Sequence, residues 1–126
     1  ALENITIKKE LKEKELGLSE KLIAISSLNT IELIPIKDIL YLEADGKYTI
    51  FHLDNQKKKV VSKNIGEYEK ILPNNFFFRI HHKYIVNLQK VTTINKYDGN
   101  YCQLVNGKSL TIAKRRQEAL RKFLYL

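Results

Sequence analysis

The sequence predicts a mostly β protein: short antiparallel β-sheets in an elongated, sandwich-like domain, with one short internal helix and a short helix at the C-terminal end. Three observations carry that expectation. Ile, Val, Thr, Tyr and Phe fall in short runs, the size and chemistry of strands. Turn signals recur between those runs at Asp45-Gly46, Asp54-Asn55, Asp98-Gly99 and Asn106-Gly107. Helical periodicity shows in one internal stretch and again at the end of the chain.

Taken in order, strands are expected at Leu22–Ile25 and Ile31–Ile36, joined by the turn Ser26-Ser27-Leu28-Asn29. Pro35 cannot donate to a ladder, so its strand lies at an edge or breaks there. Ile39–Ala44 and Tyr48–Phe51 flank Asp45-Gly46, and Lys59-Val60-Val61 follows Asp54-Asn55. Lys57-Lys58-Lys59 reads as a charge-protected edge as readily as a binding patch. Ser62 is expected to cap a helix over Lys63–Leu72 with Ile65, Tyr68, Ile71 and Leu72 on one face, stopped by Pro73-Asn74-Asn75. Strand patterns return at Phe76–Ile80, Tyr84–Leu88, Val91–Asn95, Tyr101–Val105 and Leu110–Ile112, and Lys114–Leu124 closes the chain as a short helix. Upstream, residues 1–20 read as an arm. Lys8 to Leu16 is a mixed-charge run with few apolar anchors, either a frayed linker or a solvated helix, which Gly17 would end. The chain starts with Ala and not Met, which reads as a piece lacking an upstream domain, with the domain itself over residues 21–126.

At 126 residues and 44% hydrophobic content the chain has the size and composition of one globular domain. Its net charge of +8 is unevenly placed. Phe77 to Leu126 carries ten Lys and Arg against two acids, Asp98 and Glu118, whereas Ala1 to Phe76 balances twelve against twelve. The last fifty residues therefore hold the whole excess, a field with a direction whose natural partner is a polyanion. The single cysteine, Cys102, excludes an internal disulfide framework and a Cys-based metal site and suits a reduced, cytoplasmic setting. No signal peptide and no apolar run of bilayer length is present, so no membrane role is expected.

Catalytic and metal chemistry find little support. His81 and His82 are adjacent on an expected strand, where side chains alternate between faces, so the two are not expected to share one ion. There is no Gly-x-Ser-x-Gly elbow and no phosphate-cradling Gly-rich loop. A nuclease needs clustered carboxylates for its metal, and the basic half has two acids. The chain is thus expected to be no enzyme and to need no cofactor or metal. It also lacks the two adjacent amphipathic helices of a helix-turn-helix, so its cations must stand on loops and strand ends. Lys114-Arg115-Arg116, with Arg121 and Lys122 beyond, is the best cluster for neutralising phosphates and donating to guanine; the competing reading is a solvated helix face.

Three stretches in order resemble the signatures of LytTR DNA-binding domains: Ile36-Lys37-Asp38-Ile39-Leu40-Tyr41-Leu42-Glu43-Ala44-Asp45-Gly46-Lys47-Tyr48, then Phe78-Arg79-Ile80-His81-His82-Lys83-Tyr84-Ile85-Val86-Asn87, then Gly107-Lys108-Ser109-Leu110-Thr111-Ile112-Ala113-Lys114-Arg115-Arg116. The resemblance covers roughly Lys21 to Leu124. It implies loops at one edge of a β-rich fold that enter successive major grooves of double-stranded DNA and bend it. It also implies a place in a response regulator of a bacterial two-component system, behind a phosphoaccepting receiver domain. The DNA loops that it implies fall at Lys47 with Tyr48, at His82 and Lys83 after His81, and at Lys114 with Arg115 and Arg116. Lys114 takes a place at which the family commonly carries Arg, and without the planar fork it leaves bidentate base reading open to Arg115. Asn87 matches the motif but reads as structural, hydrogen-bonding backbone at a strand end. Arg79 is left between a phosphate contact and an acid such as Glu43.

The function expected is sequence-specific duplex DNA binding by a bacterial transcription regulator, as a pair of domains on repeated half-sites. Two alternatives stand beside it. One is a β-rich module that binds RNA or single strands on exposed tyrosines. The other is a basic protein-interaction domain.

Overall fold

The computed structural model describes residues 22–27, 29–96 and 100–126. The arm at residues 1–20 and the turn expected at Asp98-Gly99 lie outside them. Three antiparallel sheets and two α-helices make up the described residues. The chain divides into two compact units, the first ending at Asp38 and the second being Ile39–Leu126.

The first unit is a hairpin of β1 (Leu22–Ser26) and β2 (Ile31–Pro35), with Ile23 opposite Ile34 and Ser26 opposite Ile31. Ser27 closes it, its N–H donating to the Thr30 carbonyl at 2.8 Å and its hydroxyl meeting that of Thr30 at 2.8 Å. The period of two is plain: Ile23, Ile25 and Ile34 are buried, while Leu22, Ile31 and Leu33 are exposed. Pro35 ends β2, and a 3-10 turn, Ile36–Asp38, follows it. In a sheet of two strands both are edges, which is where a residue without an N–H is tolerated.

The second unit holds a five-stranded and a three-stranded sheet. The five-stranded one runs β5 (Lys58–Val61), β4 (Tyr48–Leu53), β3 (Ile39–Asp45), β7 (Tyr84–Asn87), β6 (Phe77–His81). The other runs β10 (Ser109–Thr111), β9 (Tyr101–Leu104), β8 (Val91–Asn95). Lys58 and Lys59 thus lie on an edge strand, where charge discourages further pairing. Both faces of β3 are covered. Tyr41 and its cross-strand neighbour Val86 belong to a core with Leu40, Ile80, Cys102, Leu104, Leu110, Ile112 and Leu120, drawn from both sheets and the C-terminal helix. Leu42, opposite both Ile85 and Phe51, faces the other way, where Phe51 meets Tyr68 edge-on with ring centroids at 4.8 Å. Burying a side chain of that size stabilises by about 2–3 kcal/mol. Burial pushes the Cys102 thiol up to about 11, so it serves as a small apolar core residue.

The helices are α1 (Ile65–Ile71) and α2 (Lys114–Phe123). The cap of α1 is Asn64 and not Ser62, its side chain accepting from the Glu67 N–H at 3.1 Å. Residues 62 and 63 are spent on leaving β5, and the buried Thr49 hydroxyl fixes the Lys63 carbonyl at 2.7 Å, which delays the helix by two residues. Ile65, Tyr68 and Leu72 are buried as expected, but Ile71 is exposed because Leu72, beyond the last turn, takes the inward place. Asn87 closes β7 fully buried; its Nδ2 donates to the Ile39 carbonyl at 3.0 Å and its Oδ1 accepts from the Gln89 N–H at 3.0 Å.

Candidate nucleic-acid interface

Local turn chemistry builds the first two loops. In the β3–β4 hairpin Asp45 still pairs with Tyr48, so the loop is Gly46-Lys47, one residue later than the Asp45-Gly46 signal. Gly46 takes φ +60°, which a side chain would resist, and this leaves Lys47 at the tip. In the β6–β7 hairpin His81 pairs with Tyr84, which puts His82 and Lys83 in the loop. Strand pairing then brings the two tips together. β3 and β7 are antiparallel neighbours with Glu43 opposite Tyr84, and the Ala44 N–H donates to the Lys83 carbonyl at 2.8 Å. The third element arrives by docking. The Ala113 N–H donates to the Ile80 carbonyl and Arg116 Nε to the Arg79 carbonyl, both at 2.8 Å, so the first turn of α2 lies along the end of β6. Lys47, Tyr48, His82, Lys83, Lys114 and Arg115 are exposed there; His81 and Arg116 are half-buried.

The charge placement works against local stability. α2 starts at Ala113 with no side-chain cap and no acid in its first turn, which instead holds Lys114, Arg115 and Arg116. A cation at the positive end of a helix costs about 0.3–1 kcal/mol. Such a break with local preference is expected where a site needs it. The Lys83, Lys114 and Arg115 side chains form no ion pair with any described residue. Lys47 Nζ sits 5.6 Å from the centre of the Tyr48 ring.

The histidine pair differs from expectation. The His81 and His82 rings lie side by side, centroids 4.3 Å apart, and do not point to opposite faces. β6 ends at His81, so the alternation of a strand no longer applies to His82. Among the described residues no group of three or more His, Cys, Asp or Glu comes together to hold a metal. His81 is braced: its Nδ1 accepts from the Lys83 N–H at 3.1 Å. Burial, followed by the charges of His82, Lys83 and Arg115, holds it below the usual histidine range. Arg116 is likewise built into the fold, with its guanidinium 4.8 Å above the centre of the Phe78 ring.

Arg79, left between a phosphate and an acid such as Glu43, meets a different acid. It pairs with Glu69 of α1 at 2.8 Å and donates to the His82 carbonyl at 2.6 Å, tying the helix to the second loop. Glu43, the acid considered for it, meets His52 Nε2 at 2.9 Å instead. Burial pushes His52 down and outweighs that carboxylate, which pulls the other way. No local pattern marks Glu69; only its position in the fold brings it to Arg79.

The family model described as the LytTr DNA-binding domain matches residues 29–125. The transcriptional regulatory protein YpdB of Escherichia coli K12 is 39% identical over 66 residues, covering 52% of this chain and 27% of YpdB. The sensory transduction protein LytT of Bacillus anthracis is 26% identical over 123 residues, covering 95% of this chain and 49% of LytT, so the chain spans about half the length of that relative. A solved structure, the LytTr DNA-binding domain of a response regulator from Bacillus cereus, shares the fold with a TM-score of 0.74 at 21% identity, over 85% of this chain and 99% of that one.

Proposed function

The chain belongs to the LytTR family of DNA-binding domains, non-enzymatic parts of transcriptional regulators, and on that footing we propose that it binds double-stranded DNA sequence-specifically, its three clustered loops entering successive major grooves. The observation that carries this reading is the uncapped, cation-bearing start of α2 at the same sheet end as the Lys47 and His82–Lys83 loops. Phosphates are the partner that such an arrangement suits. In this reading Lys83, Arg115 and Arg116 position the domain through phosphates, and Lys47, His82 and Lys114 read bases, with Tyr48 and His81 beside them. Two copies would sit on repeated half-sites, and residues 1–20 would link the domain to an upstream receiver. Among the described residues no helix is long and apolar enough to cross a membrane.

Selection of bound duplexes from a random pool at about 0.15 M salt tests the proposal, because that salt suppresses sequence-blind phosphate binding. Recovery of a short motif repeated at one or two helical turns is expected. No enrichment would overturn specific reading and leave only the charge.

A pH effect is also expected. An imidazole near a phosphate gains charge below its reference pKa of about 6.5, so affinity for the selected site rises as pH falls from about 7.5 to 6. His81 resists protonation, since its Nδ1 already accepts a hydrogen bond and its neighbours are cations. Of the two loop imidazoles His82 is the exposed one, and fluorescence anisotropy across that range should show the response disappear in His82→Ala. A flat wild-type profile, or an equal slope in the variant, would remove His82 from the contact.

A further inference from the structure

Beside the loops lies a cavity of about 340 Å³ lined by Arg79, His81, His82, Arg115, Arg116 and one carboxylate, Glu69. Glu69 is the only acid in that lining, and its side chain is about half exposed at 48%. Its Oε1 accepts from Arg79 Nη1 at 2.8 Å, while Nη2 holds the His82 carbonyl at 2.6 Å. Arg79 Nε is buried with no hydrogen-bond partner among the described residues. The Glu69 carboxylate thus sits where an anion meets a ring of cations and imidazoles, on a side chain free to swing into water.

We propose that this cavity is a seat for one backbone phosphate of the DNA, and that Glu69 occupies it in the free protein as an internal stand-in that the phosphate displaces. The inference rests on the DNA-binding reading and adds to it a site and a built-in restraint. Carboxylate and phosphate make the same demand on a guanidinium, two acceptor oxygens across its planar fork, so they compete for Arg79. A half-exposed pair is weak because water screens it, so a phosphate that also meets Arg115 and Arg116 replaces it readily. Arg79 keeps its bond to the His82 carbonyl during the exchange, which holds the second loop in place while the anion changes. In this arrangement Glu69 weakens binding to all sequences alike and leaves the choice of sequence untouched.

The alternative role for Glu69 is a strut that holds Arg79 in position, and the two roles have opposite signs. The test uses the whole 126-residue chain. If Glu69 is the stand-in, Glu69→Gln should bind duplexes of any sequence about two- to fivefold tighter, the range of an exposed ion pair. Arg79→Lys should bind more weakly and lose that gain when combined with Glu69→Gln. Unchanged or weaker binding by Glu69→Gln would overturn the proposal in favour of the strut. A second arm needs no DNA. Titrating inorganic phosphate at constant pH should move the imidazole C–H resonances of His81 and His82 and not those of His52, and at lower phosphate concentration in Glu69→Gln. Equal titrations in the two proteins, or no movement of the His81 and His82 signals, would also overturn it. Should the chain select no DNA sequence at all, the phosphate arm still decides the seat independently of the DNA-binding reading.

Discussion

Alanine at Lys83, Lys114 and Arg115 together should weaken binding to the selected duplex by more than about a hundredfold at 0.15 M salt, while the protein stays folded. A base-reading or charge-assisted contact is worth about 1–3 kcal/mol, so three near the lower bound give about 3 kcal/mol, or over two decades in affinity. The three side chains stand exposed at one sheet end and form no ion pair with any described residue, so nothing within the fold compensates for their loss. The slope of log affinity against log salt should fall by about two, because Lys83 and Arg115 are the phosphate contacts among the three and each contributes roughly one released counterion. Stability should hold or rise slightly. Two of the three cations lie in the first turn of α2, where they oppose the helix dipole. Binding isotherms at several salt concentrations and a thermal melt test both halves. An unchanged salt slope would move the DNA to another face, and a collapsed melt would show that these cations hold the fold.

The largest stability effect is expected at Asn87. Its side chain is fully buried and bridges two backbone groups, donating to the Ile39 carbonyl and accepting from the Gln89 N–H. Asn87→Ala takes the side-chain partner from the buried Ile39 carbonyl and the part-buried Gln89 N–H, about 1–3 kcal/mol each before relaxation, or about 3 kcal/mol overall. That is a large share of the 5–15 kcal/mol typical of a folded domain. The urea midpoint should fall while the slope of the transition holds. A loss under about 0.5 kcal/mol would mean that both groups find water or other partners. DNA affinity per folded molecule should stay near wild type, because Asn87 closes the end of β7 opposite the one that carries the loop residues His82 and Lys83.

The sequence alone determined a good deal. Strand alternation, the turns at Gly46 and Asn106-Gly107, and the interruption at Pro35 are short-range signals, since each depends on backbone constraints within a few residues, and all reappear in the fold. The family was legible for the same reason: its three signatures are contiguous stretches in a fixed order. The cap of α1 was misplaced at Ser62 because Asn64 and Ser62 are both good caps, and the choice falls to the tether between Thr49 and Lys63, fourteen residues apart. The separation expected for His81 and His82 failed because the register of β6 against β7, and not composition, decides where the strand stops.

The tertiary structure alone decided which residues share a surface. Lys47, His82 and Arg115 come to one end through the pairing of β3 with β7 and the docking of α2 on β6, by hydrogen bonds such as Ala44 to Lys83 and Ala113 to Ile80. The Glu69–Arg79–His82 chain arises the same way, from α1 and β6 meeting in space. A sequence states charge and period locally. Strand order and helix docking are settled by burying the two faces of β3 at once, a requirement on the whole chain that no single stretch expresses.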